Sequence, residues 1–170
     1  MVLERITVDP QGWIVAGERR LRCALGKAGI TNAKVEGDLA TPAGLLHMER
    51  VYYRADRMVG PPITSLPVDE IEPDMGWCDD PDHGDYNQLV TLPHPARHEK
   101  LWREDSLYDV VVVLDHNTHP VESGRGSAIF MHIAKPDFSG TEGCIALDKK
   151  DLLQLLLNCN ESTEIEVSAP

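Results

Sequence analysis

The run Val110-Val111-Val112-Val113-Leu114 constrains this chain more than any other stretch. Consecutive β-branched residues favour extended backbone, and a run with no polar alternation suits a strand buried on both faces, expected to run from Tyr108 to Leu114. The chain must then provide apolar cover on each side of that strand. With 170 residues it can do so as one domain, residues 1–170, without staples. The surrounding pattern points to a mainly β (α+β) fold.

Several shorter strands are legible. Trp13–Ala16 and Arg20–Leu25 flank Gly17-Glu18 as a hairpin, and Leu45–Arg54 reads as one strand after the turn Thr41-Pro42-Ala43-Gly44. Ser127–Ile133 alternates, with Ala128, Phe130 and His132 on one face and Ile129, Met131 and Ile133 on the other. Asp148 reads as a helix cap, with Asp151 completing a variant capping box. Leu152, Leu153, Leu155, Leu156 and Leu157 supply the apolar face of that helix, and Glu164–Val167 closes the chain as a strand. The Pro- and acid-rich segment 59–95 is long for a structureless connection, so it is expected to be an ordered cover lining a site.

Sixteen Lys and Arg face 28 Asp and Glu, a net charge of -12, which disfavours nucleic acid and anionic membranes as partners. No basic segment followed by an apolar stretch opens the chain, and no run is long enough to span a bilayer. The expectation is a cytoplasmic protein, or a periplasmic one if a leader has been removed. Cys23, Cys78, Cys144 and Cys159 show no paired C-x-x-C spacing, so free thiols are expected.

Chemistry concentrates in Thr141-Glu142-Gly143-Cys144-Ile145-Ala146-Leu147, twelve residues after His132. Thiolate is the attacking form of cysteine, so a nucleophilic Cys144 needs a base, and His132 is the nearest candidate upstream. Gly143 lets the chain bend beside Cys144, and the Gly143 and Cys144 amides are candidate oxyanion donors. Spacing alone leaves this open, since a strand-end histidine and a Gly-Cys pair are both common.

The ordered set Gly37-Asp38-x-x-Thr41-Pro42-x-Gly44, Phe130-Met131-His132 and Thr141-Glu142-Gly143-Cys144-Ile145 resembles the L,D-transpeptidase (YkuD-type) catalytic domain. Gly76-Trp77-Cys78-Asp79-Asp80 with Tyr86-Asn87 resembles its compact single-domain branch. The resemblance implies a β-sandwich with a few short helices, one of them following the nucleophile loop. It implies attack by Cys144 on the peptidoglycan stem bond between the third residue and D-Ala, with His132 as base, and acylation of Cys144 by carbapenems. The thioester would pass to water (an L,D-carboxypeptidase of soluble muropeptides, the preferred reading) or to a second stem (an L,D-transpeptidase making 3-3 cross-links). A catalytically inactive muropeptide-binding domain is the rival from another class. Ile133 stands where the family often has Gly, Ala146 where it often has Arg or Asn, and Glu142 precedes the glycine. These departures bear on substrate contacts more than on the nucleophile.

On the substrate side the expected residues are Thr141 and Glu142 in the loop, and His116 and Asn117 after the buried strand. Arg125, whose planar fork suits a carboxylate, joins them. No cofactor or metal is expected. Gly124-Arg125-Gly126 lacks the third glycine of a dinucleotide fingerprint, and Pro93 and Pro95 prevent the helix that would align His94 with His98. Cys78–Asp85 reads as an acidic turn.

Overall fold

A computed structural model describes residues 1–170. The strands are β1 (Arg5–Val8), β2 (Trp13–Ala16), β3 (Arg19–Ala24), β4 (Ile30–Thr31), β5 (Thr41–Pro42), β6 (Gly44–Leu46), β7 (Met48–Tyr53) and β8 (Val68–Glu70). There follow β9 (Met75–Cys78), β10 (Leu89–Thr91), β11 (His98–Lys100), β12 (Val110–Leu114), β13 (Phe130–Ile133) and β14 (Ile145–Leu147). The helix α1 (Lys149–Asn158) and strand β15 (Glu164–Val167) complete the chain. The fold is mainly β, with one helix after the nucleophile loop where a few were expected.

Ten strands form one sheet in the order β6-β15-β1-β2-β3-β14-β13-β12-β7-β8. The sheet curls so that Ile6, Ile14 and Ile165 from one half share a core with Val51, Val112 and Met131 from the other. Strand β12 starts at Val110 rather than at the expected Tyr108, because a turn closed by the Asp109 N–H to Ser106 O precedes it, and it lies inside the sheet with both faces covered. Val110, Val112 and Leu114 enter the large core, while Val111 and Val113 enter a smaller one with Phe130, Trp77 and Tyr108. That is the two-sided burial its uniform apolar run demands.

The β2–β3 hairpin forms, with Ala16 opposite Arg19 and Gly17 at φ 62 in its turn. Leu45–Arg54 is instead split at His47, whose N–H and Nδ1 both engage the Asp115 carboxylate at 2.7 and 3.0 Å. The β7–β12 register slips there, between Val113 and Leu114. Ser127–Ile133 becomes a strand only from Phe130, because Ala128 has φ 53 and donates its N–H to Asn87 Oδ1. The predicted alternation holds along it.

Asp148 caps α1 by accepting the Lys150 N–H, but Asp151 pairs with Arg19 rather than closing a capping box. Leu152, Leu155 and Leu156 are the buried face, while Leu157 is exposed because it falls on the opposite side of the turn. Burying each of these three leucines contributes about 1.5–3 kcal/mol. The segment 59–95 is ordered, and β9 and β10 pair with β11 as a three-stranded sheet. Its Trp77 packs edge-on to Phe130 at 5.1 Å, beside the smaller core.

Candidate active site

Strands β13 and β14 run parallel, with His132 opposite Ala146. Side chains two residues apart share a face, so Phe130, His132, Cys144 and Ala146 project to the same side of the sheet. His132, Cys144 and Ala146 line one cleft of about 290 Å³. The pairing across adjacent strands makes a neighbourhood of residues twelve apart in sequence.

The loop before Cys144 is held by its own hydroxyl. Thr141 Oγ1 donates to the Cys144 carbonyl at 2.7 Å and accepts the Gly143 N–H at 3.1 Å. Gly143 has φ 142, and a Cβ there would meet Ala40 O at 2.8 Å, so only glycine fits without strain. The Gly143 amide is therefore already spoken for, contrary to its expected place as an oxyanion donor. The Cys144 N–H has no protein acceptor and remains the candidate from this loop.

Cys144 is buried. Its thiol donates to Ala128 O at 3.2 Å, and its sulfur accepts the Phe130 N–H at 3.4 Å. Burial, reinforced by the negative charge of Glu99, pushes the thiol up to about 12. His132 is 6% exposed, and burial holds it down to about 4, so it is neutral at physiological pH. Its Nδ1 lies 2.9 Å from Ile133 O, which can only accept, so Nδ1 carries the proton and Nε2 the lone pair. No hydrogen bond joins His132 to Cys144 in this resting arrangement. The position after the histidine contributes a carbonyl, which Ile133 supplies as well as a glycine would.

The ring of His132 packs on Tyr108, centroids 5.3 Å apart. The Tyr108 hydroxyl donates to Glu99 on β11, and the Arg103 guanidinium lies 5.1 Å from the tyrosine ring. Burial lifts Glu99 to about 7 despite that hydroxyl. The loop bearing Arg103 is pinned from behind, Arg54 donating to Arg103 O at 2.7 Å and Arg57 to Glu104 O at 2.8 Å. Lys34 is buried between Asp38 and Ala40 O, close to Gly143, and its positive charge opposes the upward push on Cys144.

Of the residues expected on the substrate side, Thr141 and Glu142 line the cleft. His116, Asn117 and Arg125 lie outside it. His116 Nε2 donates to Arg125 O, and Asn117, at φ 53, ties Glu122 and Gly126 with its side chain. These groups close a loop, and Arg125 faces solvent beside Glu122. Sequence reasoning missed Glu99, Arg103, Tyr108 and Lys34. The Trp77–Asn87 block serves as a brace. Asn87 Oδ1 accepts both Trp77 Nε1 and the Ala128 N–H, which fixes the approach to β13.

A second cluster, His83, Asp85 and His94, brings possible ligand atoms within 4.8 Å of one another. Both Nδ1 atoms accept main-chain N–H groups, from Asp85 and Ala96, so each neutral ring carries its proton on Nε2. His94 Nε2–H meets Asp85 Oδ2 at 3.0 Å. Hydrogen bonding thus accounts for the cluster, and a metal at either Nε2 would require an imidazolate or a broken main-chain bond.

The curled β sheet thus sets Cys144, just before β14, and His132, on the parallel neighbour β13, at one cleft. Residues 4–167 match the family of L,D-transpeptidase catalytic domains (YkuD), and the chain belongs to that family. Among solved structures it is similar to an L,D-transpeptidase from Mycobacterium smegmatis, at 14% identity and TM-score 0.42 over 97% of this chain and 58% of that one. L,D-transpeptidase 1 from Mycobacterium tuberculosis is 16% identical at TM-score 0.42, over 97% and 58%. The helical cell shape determining protein Pgp2 from Campylobacter jejuni is 14% identical at TM-score 0.41, over 96% and 46%. The chain thus spans about half the length of these proteins. No curated protein matches it.

Proposed function

We propose that this domain is an L,D-carboxypeptidase, which removes D-Ala from the tetrapeptide stem of peptidoglycan fragments. The observation that carries the reading is that Cys144 and a neutral His132 whose Nε2 is unengaged line the same cleft. Cys144 Sγ attacks the carbonyl of the third residue as its proton passes to His132 Nε2. The Cys144 N–H donates to the developing oxyanion. The C–N bond breaks, D-Ala leaves with the proton from His132, and a thioester remains. Water then gives a proton to His132 and adds to the thioester, restoring the thiol and releasing the tripeptide.

Water is the favoured acceptor because the cleft, about 290 Å³, is at the small end for one bound ligand and leaves little space for a second stem. A transpeptidase must hold an acceptor amine at high effective concentration beside the thioester. Four free thiols suit a reducing compartment, in keeping with a cytoplasmic enzyme of fragment recycling, which cell fractionation tests directly.

The functional test is mass spectrometry of products from a disaccharide tetrapeptide, with and without excess acceptor amine. Tripeptide plus D-Ala, unaffected by the amine, is the expected result. Cross-linked dimer as the main product would return the chain to wall synthesis.

A further inference from the structure

The nucleophile loop offers one oxyanion donor where acyl transfer is served best by two. Thr141 Oγ1 holds the Gly143 N–H at 3.1 Å, and the Phe130 N–H points at the Cys144 sulfur at 3.4 Å. Of these three amides only that of Cys144 is free. Beside the loop lies Lys34, whose side chain is 6% exposed and which lines the same cleft as Cys144 and His132. Its ammonium has three N–H donors and uses two, one to Asp38 Oδ1 at 2.5 Å and one to Ala40 O at 2.7 Å. Two glycines clear the way for it. A Cβ on Gly126 would sit 3.1 Å from the lysine Cγ and Cε, and one on Gly143 would sit 3.3 Å from Nζ. The ammonium thus reaches the backbone that carries the Cys144 amide, with one donor unspent.

A buried ammonium with a donor to spare is costly unless a ligand takes that donor. We propose that Lys34 is a catalytic residue whose third N–H is the second oxyanion donor, completing the hole with the Cys144 N–H. The role rests on the acyl-transfer reading above and adds a group to it. As Cys144 Sγ bonds to the carbonyl carbon, the C=O π pair moves onto oxygen. Lys34 donates to that oxygen and keeps its proton. When the C–N bond breaks, the pair returns and C=O re-forms. The same charge favours the thiolate, against the opposing fields of Glu99 and Glu142. The other cations of the cleft are placed differently. Arg103 lies over Tyr108, on the His132 side, and pairs with Asp105. Lys27 and Lys135 are exposed and have no ion pair. Lys34 is fixed by two acceptors before the substrate arrives, so its donation needs no reorganisation during the step.

The test uses a peptide aldehyde that ends at the third stem residue, because its hemithioacetal with Cys144 places an oxygen where the oxyanion forms. Lys34→Met removes the ammonium at similar length, and Asp38 keeps the Val35 and Ala40 N–H groups as partners. The variant is expected to lower kcat for D-Ala release about 10²–10³-fold with KM nearly unchanged, and to weaken aldehyde inhibition by a similar factor. Calorimetry of the tetrapeptide on Cys144→Ala, with and without Lys34→Met, should give equal affinities. A loss of affinity there matching the loss in kcat/KM would make Lys34 a ground-state contact and overturn the proposal. So would a fall in thermal stability with kcat and aldehyde affinity kept, the mark of a purely structural ion pair. The wild type supplies a second measurement that needs no variant. Lys34 is the only one of six lysines in an ion pair, so its ammonium protons should exchange slowly enough to be seen by proton–nitrogen NMR. The aldehyde should shift that signal as carbon NMR of the labelled aldehyde shows the hemithioacetal. Hemithioacetal with an unshifted Lys34 signal would overturn the oxyanion role, even if Lys34→Met fails to fold. No hemithioacetal on Cys144 would instead remove the acyl-transfer reading, and the role of Lys34 with it.

Discussion

The Nδ1–H of His132 donates to the carbonyl of Ile133 across 2.9 Å, which leaves the opposite ring nitrogen as the base. One bond to its own neighbour fixes both the tautomer and the tilt of the ring. Tyr108 packs against the ring at 5.3 Å, so the imidazole is oriented without a carboxylate partner. Burial keeps it neutral down to about pH 4.

That neutrality makes stability depend on pH. The folded state holds His132 near 4, below its ordinary 6.5, so the unfolded chain binds the proton more readily. The stabilisation is present above 6.5 and is lost as pH falls toward 4, an effect of about 3 kcal/mol. Denaturant unfolding at several pH values should show the wild type losing that much more than His132→Gln across this window. Parallel pH curves for the two proteins would mean His132 is protonated in the folded state.

The thiol should be quiet at rest. Burial pushes Cys144 up to about 12, Cys23 to about 12 and Cys159 to about 11, so rapid alkylation near pH 7 is not expected of any of these three. Brief iodoacetamide treatment followed by peptide mapping should find Cys144 labelled at least about tenfold more slowly than a free thiol. Fast labelling of the free protein would show a thiolate already formed.

Gly143→Ala places a Cβ 2.8 Å from Ala40 O on backbone at φ 142. The loop must move, at a cost of about 1–3 kcal/mol in stability and with most of the activity. Thr141→Val breaks both bonds that shape the same loop and should lower kcat more than KM, because it displaces the Cys144 amide. Thermal unfolding and steady-state kinetics on both variants check this. A Gly143→Ala protein of wild-type stability and activity would show that the loop does not need glycine.

Strand β12, the first hairpin, the Asp148 cap and the two faces of β13 were legible because each depends on local pattern: β-branching, turn residues and alternation. Cys144 and His132 stood out through the resemblance of their motifs, since a glycine bend and a strand end left the pair open. Glu99, Arg103 and Tyr108 were not. Glu99 and Arg103 reach the cleft because β11 pairs with β9 and because Arg54 and Arg57 pin the following loop, and nothing in the Tyr108–Leu114 pattern shows that Tyr108 stacks on His132. His116 and Asn117 misled by adjacency to the end of β12, where positive φ at Asn117 turns the chain into a loop of its own. The Gly143 amide misled because nothing in sequence shows that Thr141 Oγ1 already accepts it.

The most direct measurement of the central claim is D-Ala release from a disaccharide tetrapeptide by the wild type, Cys144→Ala, His132→Ala and the double variant. A nucleophile and its base act as one unit, so each single variant should lose activity by about 10³-fold or more and the double variant should be little worse. Near-normal release by Cys144→Ala would contradict the account outright, since no other thiol lines the cleft.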